Sequence, residues 1–452
     1  MFFSNTIAAI ATPPGKGGVA IVRVSGSKVS DIIKSLIKKP LKSRYATFCE
    51  FIDANEEVID QGIALYFPAP HSFTGEDVLE LHGHGGPVIL DCLLQRVLSL
   101  GAVIAKPGEF SERAFLNNKI DLTEAEAISD LINAATKASA HSAVNSLRGE
   151  FSREIRNLLE IITNLRTYIE AAIDFSDEDI NFLHDKKITS QLKNALEKLD
   201  IIQRAAKQGV LLQEGINVVI AGKPNVGKSS LLNYFTGEDT AIVTEIPGTT
   251  RDILHTQIQL DGIPLHLLDT AGLRESDDVV EQEGVKRAKQ VIEKADFILL
   301  MVDAKDDLIR DPKILLQKFS LKIQSDTKII VIFNKIDLTL EAERTQKLDD
   351  IDCVFLSLKN NNGIDLLKQL IKSNLGFNDV VESNFSARRR HLDALQKTKK
   401  NILQAKEAQR AQSFELMAED LRQAQESLGE ITGNFTTEDL LDKIFSEFCI
   451  GK

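Results

Sequence analysis

The sequence is short of cysteine, of long hydrophobic runs and of positive charge, and each shortage removes a class of function. Its four cysteines, Cys49, Cys92, Cys353 and Cys449, are scattered without the C-x-x-C pairing of a zinc or redox centre, which fits a reducing compartment. No apolar run approaches the roughly 18 residues needed to cross a bilayer. The N-terminal stretch MFFSNTIAAIATPPGK has no basic residue ahead of its short apolar part, so neither secretion nor membrane insertion is expected, and a cytoplasmic protein is. Lys and Arg number 54 against 66 Asp and Glu, a net charge of -12. Such a surface does not attract phosphate backbones indiscriminately, and any nucleic-acid contact needs a local basic patch. What is present is globular: 27% charged and 43% hydrophobic residues exclude a disordered, collagen-like or disulfide-stapled chain. At 452 residues the length sets an expectation of about three domains.

The patterning changes twice along the chain. Residues 1–118 alternate short β-like runs (Ile7 to Ala11, VAIVRV, IALYF) with turn signals, and helical pieces are expected near Val29 to Ile37 and Val88 to Leu100. This reads as an α+β domain. Residues 119–214 switch to helix period, most clearly at Val144, Leu147, Phe151, Ile155, Leu158, Ile162, Leu165 and Ile169, whose steps are all three or four. A second helical stretch, 378–452, carries Leu392, Leu395 and Ile402, then Leu421, Ala424, Leu428 and Ile431, and the two stretches are expected to pack together. Between them, residues 215–377 alternate continuous apolar strands (INVVIAG, PLHLLDTAG, ADFILLMVDA, KIIVIFNKID) with helical segments. The fold class expected is therefore multidomain: an N-terminal α+β domain and a discontinuous all-α helical domain into which an α/β P-loop domain is inserted.

The chemistry concentrates in that insert. Gly222-Lys-Pro-Asn-Val-Gly227-Lys228-Ser229 matches G-x-x-x-x-G-K-[ST] directly after a strand and directly before a helical pattern. Glycines there let backbone N–H groups surround phosphates, and the helix adds its positive dipole end. Lys228 is expected to reach the β and γ phosphates, and Ser229 to offer its hydroxyl to Mg²⁺. Asp269-Thr270-Ala271-Gly272 follows PLHLL, placing a carboxylate at a strand's C-terminal end to support Mg²⁺ through water and a glycine N–H toward the γ-phosphate. Thr249 and Thr250 lie between these motifs, where one hydroxyl completes a magnesium shell. Asn334-Lys335-Ile-Asp337 selects the base: the Asp337 carboxylate can accept both the ring N–H and the exocyclic amine of guanine, whereas adenine offers no such pair. Leaving that carboxylate unmatched costs on the order of several kcal/mol. Ser357-Leu-Lys359 suits a second guanine-contacting loop. The ordered set identifies a GTPase domain.

Where Ras-like GTPases carry a water-orienting glutamine after D-x-x-G, this chain has Leu273. Two residues are candidates to supply the missing help. Asn225 either steadies the loop or lends its oxygen to a monovalent cation near the phosphates. Glu281 is either a solvated surface charge or an orienting group for water. Three weaker signals stand apart: His82 and His84 in HGHGG read as a glycine turn rather than a metal pair. Arg388-Arg389-Arg390 reads equally as a solvated helix start or a phosphate contact, and Gly15 to Gly18 as a turn.

Taken together, GKPNVGKSSLLN, IPGTTRD, DTAGLRE, NKID, the N-terminal blocks GGVAIVRVSG, DVLELHGHGG and PGEFSERAFLNNKIDLTEAEA, and the terminal Cys449-Ile-Gly-Lys452 resemble the MnmE (TrmE) family of tRNA-modification GTPases over essentially the full length. The resemblance implies a K⁺-stimulated GTPase. It implies further that, with the FAD-containing partner MnmG (GidA), such a protein would install a carboxymethylaminomethyl group at carbon 5 of a tRNA wobble uridine, and that a tetrahydrofolate derivative, 5-formyl- or 5,10-methylene-tetrahydrofolate, would supply the carbon. It also implies a homodimer formed by the N-terminal domain. By motif, Asn225, Val226, Gly227, Lys228, Ser229, Ser230, Thr244, Glu245, Ile246, Pro247, Gly248, Thr249, Thr250, Asp269, Thr270, Ala271 and Gly272 would contact nucleotide or ion. Asn225 with Thr244, Ile246 and Thr249 would hold K⁺, Ser229 and Thr250 would ligate Mg²⁺, and Glu281 would act as general base. A folate site would use Arg23, Glu80, Lys119 and Lys452, chemistry suited to a pterin N–H face and carboxylate tail. Cys449 is either an inert tail thiol or a reactive one.

Two rival readings share the central motifs: a regulatory RNA-binding or ribosome-assembly GTPase without RNA-modifying chemistry, and a scaffold that dimerises with GTP. The first is expected to carry a G-x-x-G loop module or a clear basic stripe in its flanks, and the acidic helical flanks show neither.

Overall fold

A computed structural model describes residues 5–174, 186–238, 255–269, 295–305, 310–318, 327–375, 385–434, 438–446 and 448–451. These form two compact units, one of Met1–Ser129, Ser146–Leu196 and Ala394–Lys452, the other of Asp130–Asn145 and Glu197–Asp393.

In the first unit, β1 (Ile7–Ile10), β2 (Gly17–Ser25), β3 (Thr47–Ile52), β4 (Val58–Phe67), β5 (Val78–Gly85) and β6 (Val103–Ile104) form one sheet in the order β3-β4-β5-β2-β1-β6. Only the β1–β6 pair is parallel. Side chains alternate across a strand, so Val22, Val24, Leu79 and Leu81 share one face. That face packs under α1 (Val29–Leu36) and α2 (Pro87–Ser99) through Val29, Ile32, Leu93 and Val97. The same alternation turns Arg23 and Glu80, register partners across β2 and β5, to the opposite face. The two expected helices thus form within a residue of their predicted limits.

Four helices follow: α3 (Glu109–Leu116), α4 (Leu122–Ile132), α5 (Lys137–Leu147) and α6 (Glu150–Asp174). The continuous apolar stripe read from Val144 is in fact divided. Gly149, at φ 78, ends one helix and starts the next, and Val144 on α5 is exposed while Phe151, Ile155, Leu158, Ile162, Leu165 and Ile169 on α6 are completely buried. Each such side chain contributes about 1.5–3 kcal/mol relative to exposure. After α7 (Lys186–Glu214) and the inserted domain, the partner of that stripe is the second helical stretch, as expected.

The second unit centres on a seven-stranded sheet. β7 (Ile216–Gly222), β8 (His255–Leu260), β9 (Ile263–Asp269), β10 (Phe297–Asp303), β11 (Lys328–Asn334), β12 (Arg344–Leu348) and β13 (Ile351–Phe355) lie in the order β12-β13-β11-β10-β7-β9-β8. The five inner strands are parallel and each outer strand is antiparallel to its neighbour. β10, FILLMVD, is buried at every position, the signature of a strand covered on both faces. α8 (Lys228–Glu238), α9 (Pro312–Lys318) and α10 (Ile364–Asn374) flank the sheet. The β8–β9 hairpin is held at its tip, where the Thr136 hydroxyl donates to the Gly262 carbonyl at 2.8 Å.

The chain then returns through α11 (Arg389–Arg410), α12 (Phe414–Thr432) and α13 (Glu438–Ser446). α12 lays Leu421, Ala424, Leu428 and Ile431, all fully buried, along α6. Arg166 donates to the Gln425 side chain at 2.6 Å, and Gln425 donates to Thr163 at 2.6 Å. α13 packs Ile444 and Phe445 with Leu122 and Ala125, and Phe448 joins them. The α+β, all-α and α/β fold classes read from the sequence are therefore all present.

Candidate functional site

Parallel strands aim their C-terminal ends at one edge of a sheet, and in an open α/β sheet that edge is where ligands bind. The register lines up Gly222 with Met301, Asp303 with Asn334, and Asp269 with Ile220. The P-loop, the end of β9 and the Asn334-Lys335-Asp337 loop therefore share this edge.

The P-loop joins β7 to α8, and Val226 is its buried anchor, 4% exposed, while Asn225, Ser229 and Ser230 face outward. Asn225 sits at φ 64. The two motif glycines are required by contact as well as by backbone angle. A Cβ on Gly222 would lie 2.4 Å from the Met301 carbonyl, and one on Gly227, at φ 109, would lie 2.4 Å from Asn334 Nδ2. Lys228 curls over the loop, its Nζ donating to the Gly222 and Lys223 carbonyls at 2.8 Å each.

Asn334 joins the phosphate half of the site to the base half. It is 3% exposed. Its Nδ2 donates to the Val226 carbonyl at 2.8 Å, and its Oδ1 accepts the Leu358 N–H at 3.1 Å. Ser357 donates to Asp337 Oδ1 at 2.6 Å, and its main chain makes a two-bond bridge with Asn362. One carboxylate oxygen of Asp337 is thus oriented by the neighbouring loop. Lys359, two residues after Ser357, is exposed. Lys335, at φ 68, is tied by its Nζ to Asp303 Oδ2 at 2.6 Å. Burial works to raise the Asp303 carboxyl, but the Lys335 hydrogen bond, the Lys305 N–H and the two lysine charges overcome it and hold the group below the usual range. Asp303 was not singled out in the sequence. Its one signal is its place as the polar last residue of a buried strand.

Of the other nucleotide and ion candidates, Asp269 is the last residue of β9. Thr244, Glu245, Ile246, Pro247, Gly248, Thr249, Thr250, Thr270, Ala271, Gly272 and Glu281 lie outside the described residues, as does Lys452.

A second constellation lies on the face of the first unit's sheet opposite α1 and α2, beside Phe110 of α3. Arg23 Nε donates to Glu80 Oε1 at 2.9 Å, and Arg23 Nη1 donates to the Gly451 carbonyl at 3.2 Å. His82 Nε2 stands 3.3 Å from the other Glu80 oxygen. Gly451, at φ 92, fits where a Cβ would come 2.6 Å from the Ile10 carbonyl, so the C-terminal tail is seated against the end of β1. The Gly108 N–H reaches the Cys449 carbonyl at 3.4 Å, and Cys449 itself is exposed. The structure thus joins Arg23 and Glu80 to the tail. Lys119 makes a different contact, donating to the Pro70 carbonyl at 2.9 Å. The tail's place beside Arg23 had no signal in spacing or periodicity.

Two of the weaker readings change and one holds. His82 and His84 lie within strand β5 rather than in a glycine turn, and His84 pairs with Asp60 at 2.8 Å. Among the described residues no three His, Cys, Asp or Glu side chains are grouped to hold a metal ion. Gly17 and Gly18 begin β2 instead of completing a turn. The Arg388-Arg389-Arg390 run does open a helix, at Arg389, whose side chain is 70% exposed and pairs with Glu214 at 2.7 Å, while Arg388 pairs with Asp130 at 2.8 Å.

A family model described as the GTP-binding protein TrmE N-terminus matches residues 6–119, and one described as the MnmE helical domain matches residues 122–449. The tRNA modification GTPase MnmE of Methylococcus capsulatus is 53% identical over 99% of this chain and 99% of its own length. That of Coxiella burnetii is 54% identical over 100% of this chain and 99% of its own. Among solved structures, the G domain of the T. maritima FeoB iron transporter is 25% identical, covering 35% of this chain and 98% of that one with a TM-score of 0.26. With its two domain models matched and its relatives aligned end to end, the chain belongs to the MnmE (TrmE) family of tRNA-modification GTPases.

Proposed function

We propose that this protein is a K⁺-stimulated GTP hydrolase that works with the FAD-dependent protein MnmG (GidA). Together they install a carboxymethylaminomethyl group at carbon 5 of the wobble uridine of tRNA. The observation that carries the GTPase part of the reading is Asn334. A single buried amide ties the carbonyl of the phosphate loop to the N–H of the base loop, so the two halves of a guanine-nucleotide site are held at a fixed spacing before ligand arrives.

In this reading Asp337 accepts the guanine N1–H and amine, while the main-chain N–H groups between Gly222 and Ser229 and the α8 N-terminus surround the phosphates. Lys228, already folded over the loop, supplies the cation. Hard cations take oxygen ligands, and the donors at this edge are hydroxyl, amide and carbonyl oxygens, which suit both Mg²⁺ and K⁺. Ser229 and Thr250 are the proposed Mg²⁺ ligands, and Asn225 with Thr244, Ile246 and Thr249 the proposed K⁺ ligands. The ions would offset charge developing on the phosphates. Glu281 is proposed to orient the attacking water that Leu273 cannot hold.

The proposed one-carbon site uses Arg23, Glu80, Lys119 and Lys452. A carboxylate beside a guanidinium on a half-covered sheet face matches the N–H donors of a pterin and the carboxylates of a tetrahydrofolate derivative. That group would supply the carbon, and Cys449 is a candidate reactive thiol at the same tail. A homodimer through the N-terminal domain and a cytoplasmic location complete the proposal. Among the described residues no helix is long and apolar enough to cross a membrane.

Nucleoside analysis of tRNA from a strain lacking the chain tests the modification reading. Loss of the carboxymethylaminomethyl group is expected, and unchanged wobble uridines would end it. Turnover of GTP in K⁺ should exceed that in Na⁺ at least tenfold, and equal rates would remove Asn225 from its role.

A further inference from the structure

We infer that Glu341 is a positioning residue for guanine recognition, held by Arg310 and Arg344 so that the loop carrying Asp337 is fixed before nucleotide binds. The inference rests on the guanine-site reading and adds a device that no site motif contains. Glu341 stands four residues beyond Asp337, and its N–H closes the same turn by donating to the Ile336 carbonyl at 3.3 Å. Its carboxylate takes three charge-assisted hydrogen bonds: from Arg310 Nη1 at 2.9 Å and Arg310 Nη2 at 2.5 Å, and from Arg344 Nη2 at 2.9 Å. Bidentate guanidinium pairing of this kind fixes direction as well as distance.

The two arginines are themselves anchored to strands that end at the site. Arg344 is the register partner of Phe355, and its guanidinium lies 3.7 Å from that ring's centroid. Phe355 stacks on Phe333 at 4.6 Å with the planes 13° apart. Phe333 immediately precedes Asn334, and Phe355 lies two residues before Ser357, the residue that orients Asp337. A column of Phe333, Phe355 and Arg344 therefore runs across β11, β13 and β12, and Glu341 couples it to the Asp337 turn. Arg310, on the stretch that follows β10, also approaches Phe355, at 5.7 Å. Planar stacking and the fork of donors both demand arginine, and lysine would keep the charge but lose both. The Arg310 hydrogen bonds first, and then that of Arg344, push the Glu341 carboxyl down to about 2, so the clamp stays charged throughout the physiological range.

The test compares steady-state turnover of GTP and ITP by the full-length protein and by Glu341→Gln. ITP lacks the exocyclic amine, so the GTP preference over ITP reads how well Asp337 is aimed. In Glu341→Gln, KM for GTP should rise about tenfold with kcat within twofold, and the preference for GTP over ITP should fall several-fold. A GTP preference equal to wild type would overturn the inference, including the case where both KM values rise together, because a merely structural change weakens both nucleotides alike. Should Glu341→Gln fail to fold, Arg344→Lys takes its place with the same expected and overturning results. Wild-type protein that did not distinguish GTP from ITP would instead overturn the guanine reading beneath it, so the two failures are separable.

Discussion

Asn334 and Val226 are 108 residues apart, and each lies in a short contiguous motif whose meaning is carried by its neighbours. Arg23 and Gly451 are 428 apart and share no motif at all. The nucleotide edge is assembled by a parallel sheet, which brings successive strand ends to one line, so local words become a site by topology alone. The tail site is assembled by the return of the chain's last described residues: α13 packs on α3 and α4, and Gly451 beyond it meets β1 and Arg23. The first construction is modular and rigid. The second depends on the C-terminus staying seated.

The strongest way to break this contrast is Gly227→Ala. The added methyl must enter 2.4 Å from Asn334 Nδ2 at a backbone angle that disfavours it. Strain of about 3 kcal/mol should weaken GDP roughly 100-fold, measured by fluorescent-nucleotide titration, while folate binding stays unchanged. Next in size is Asn334→Ala, which leaves the Val226 carbonyl and the Leu358 N–H without their shared partner. A loss of about 1–3 kcal/mol is expected, read as a lower unfolding midpoint and GDP binding weaker by about tenfold or more. Glu80→Gln makes the converse cut: calorimetry should show tetrahydrofolate binding weakened about tenfold and GDP affinity unmoved, because the Arg23 pairing belongs to the tail site alone.

The smallest effect is one of pH. Asp303 has its carboxyl held below its ordinary value of 3.8 in the folded protein. Its pairing with Lys335 therefore adds stability in full above that value and loses it as pH falls through the lowered one. Denaturation midpoints of wild type and Asp303→Asn should differ by a constant amount from pH 8 to pH 5 and converge only below pH 3.8.

The fold was legible where a periodic pattern persisted. The α6 stripe and its α12 partner are examples, since steps of three and four mark a buried helix face without knowledge of the partner. It misled where one glycine intervened. Gly149 splits a stripe whose apolar spacing continues unbroken through it, and spacing alone does not reveal a left-handed residue. HGHGG read as a turn because glycine usually marks one, yet Gly83 lies in β5, where a Cβ would be 2.5 Å from Asp60 Oδ2. At the nucleotide edge the P-loop, Asp269 and the Asn334-Lys335-Asp337 run were readable as words. Asp303 and Glu341 were not, because their roles come from side chains meeting across strands. Arg23, Glu80 and the tail entered only through family resemblance, for no local pattern encodes a contact between the chain's two ends.

The most direct test of the central claim is nucleotide selection by Asp337→Asn, measured by calorimetry with GTP and XTP on the full-length protein. A carboxylate that reads guanine by accepting two hydrogen bonds predicts a reversal: once an amide donor replaces it, GTP binding should fall by about two orders of magnitude and XTP should become the preferred ligand. Retention of GTP preference by the variant would contradict the account.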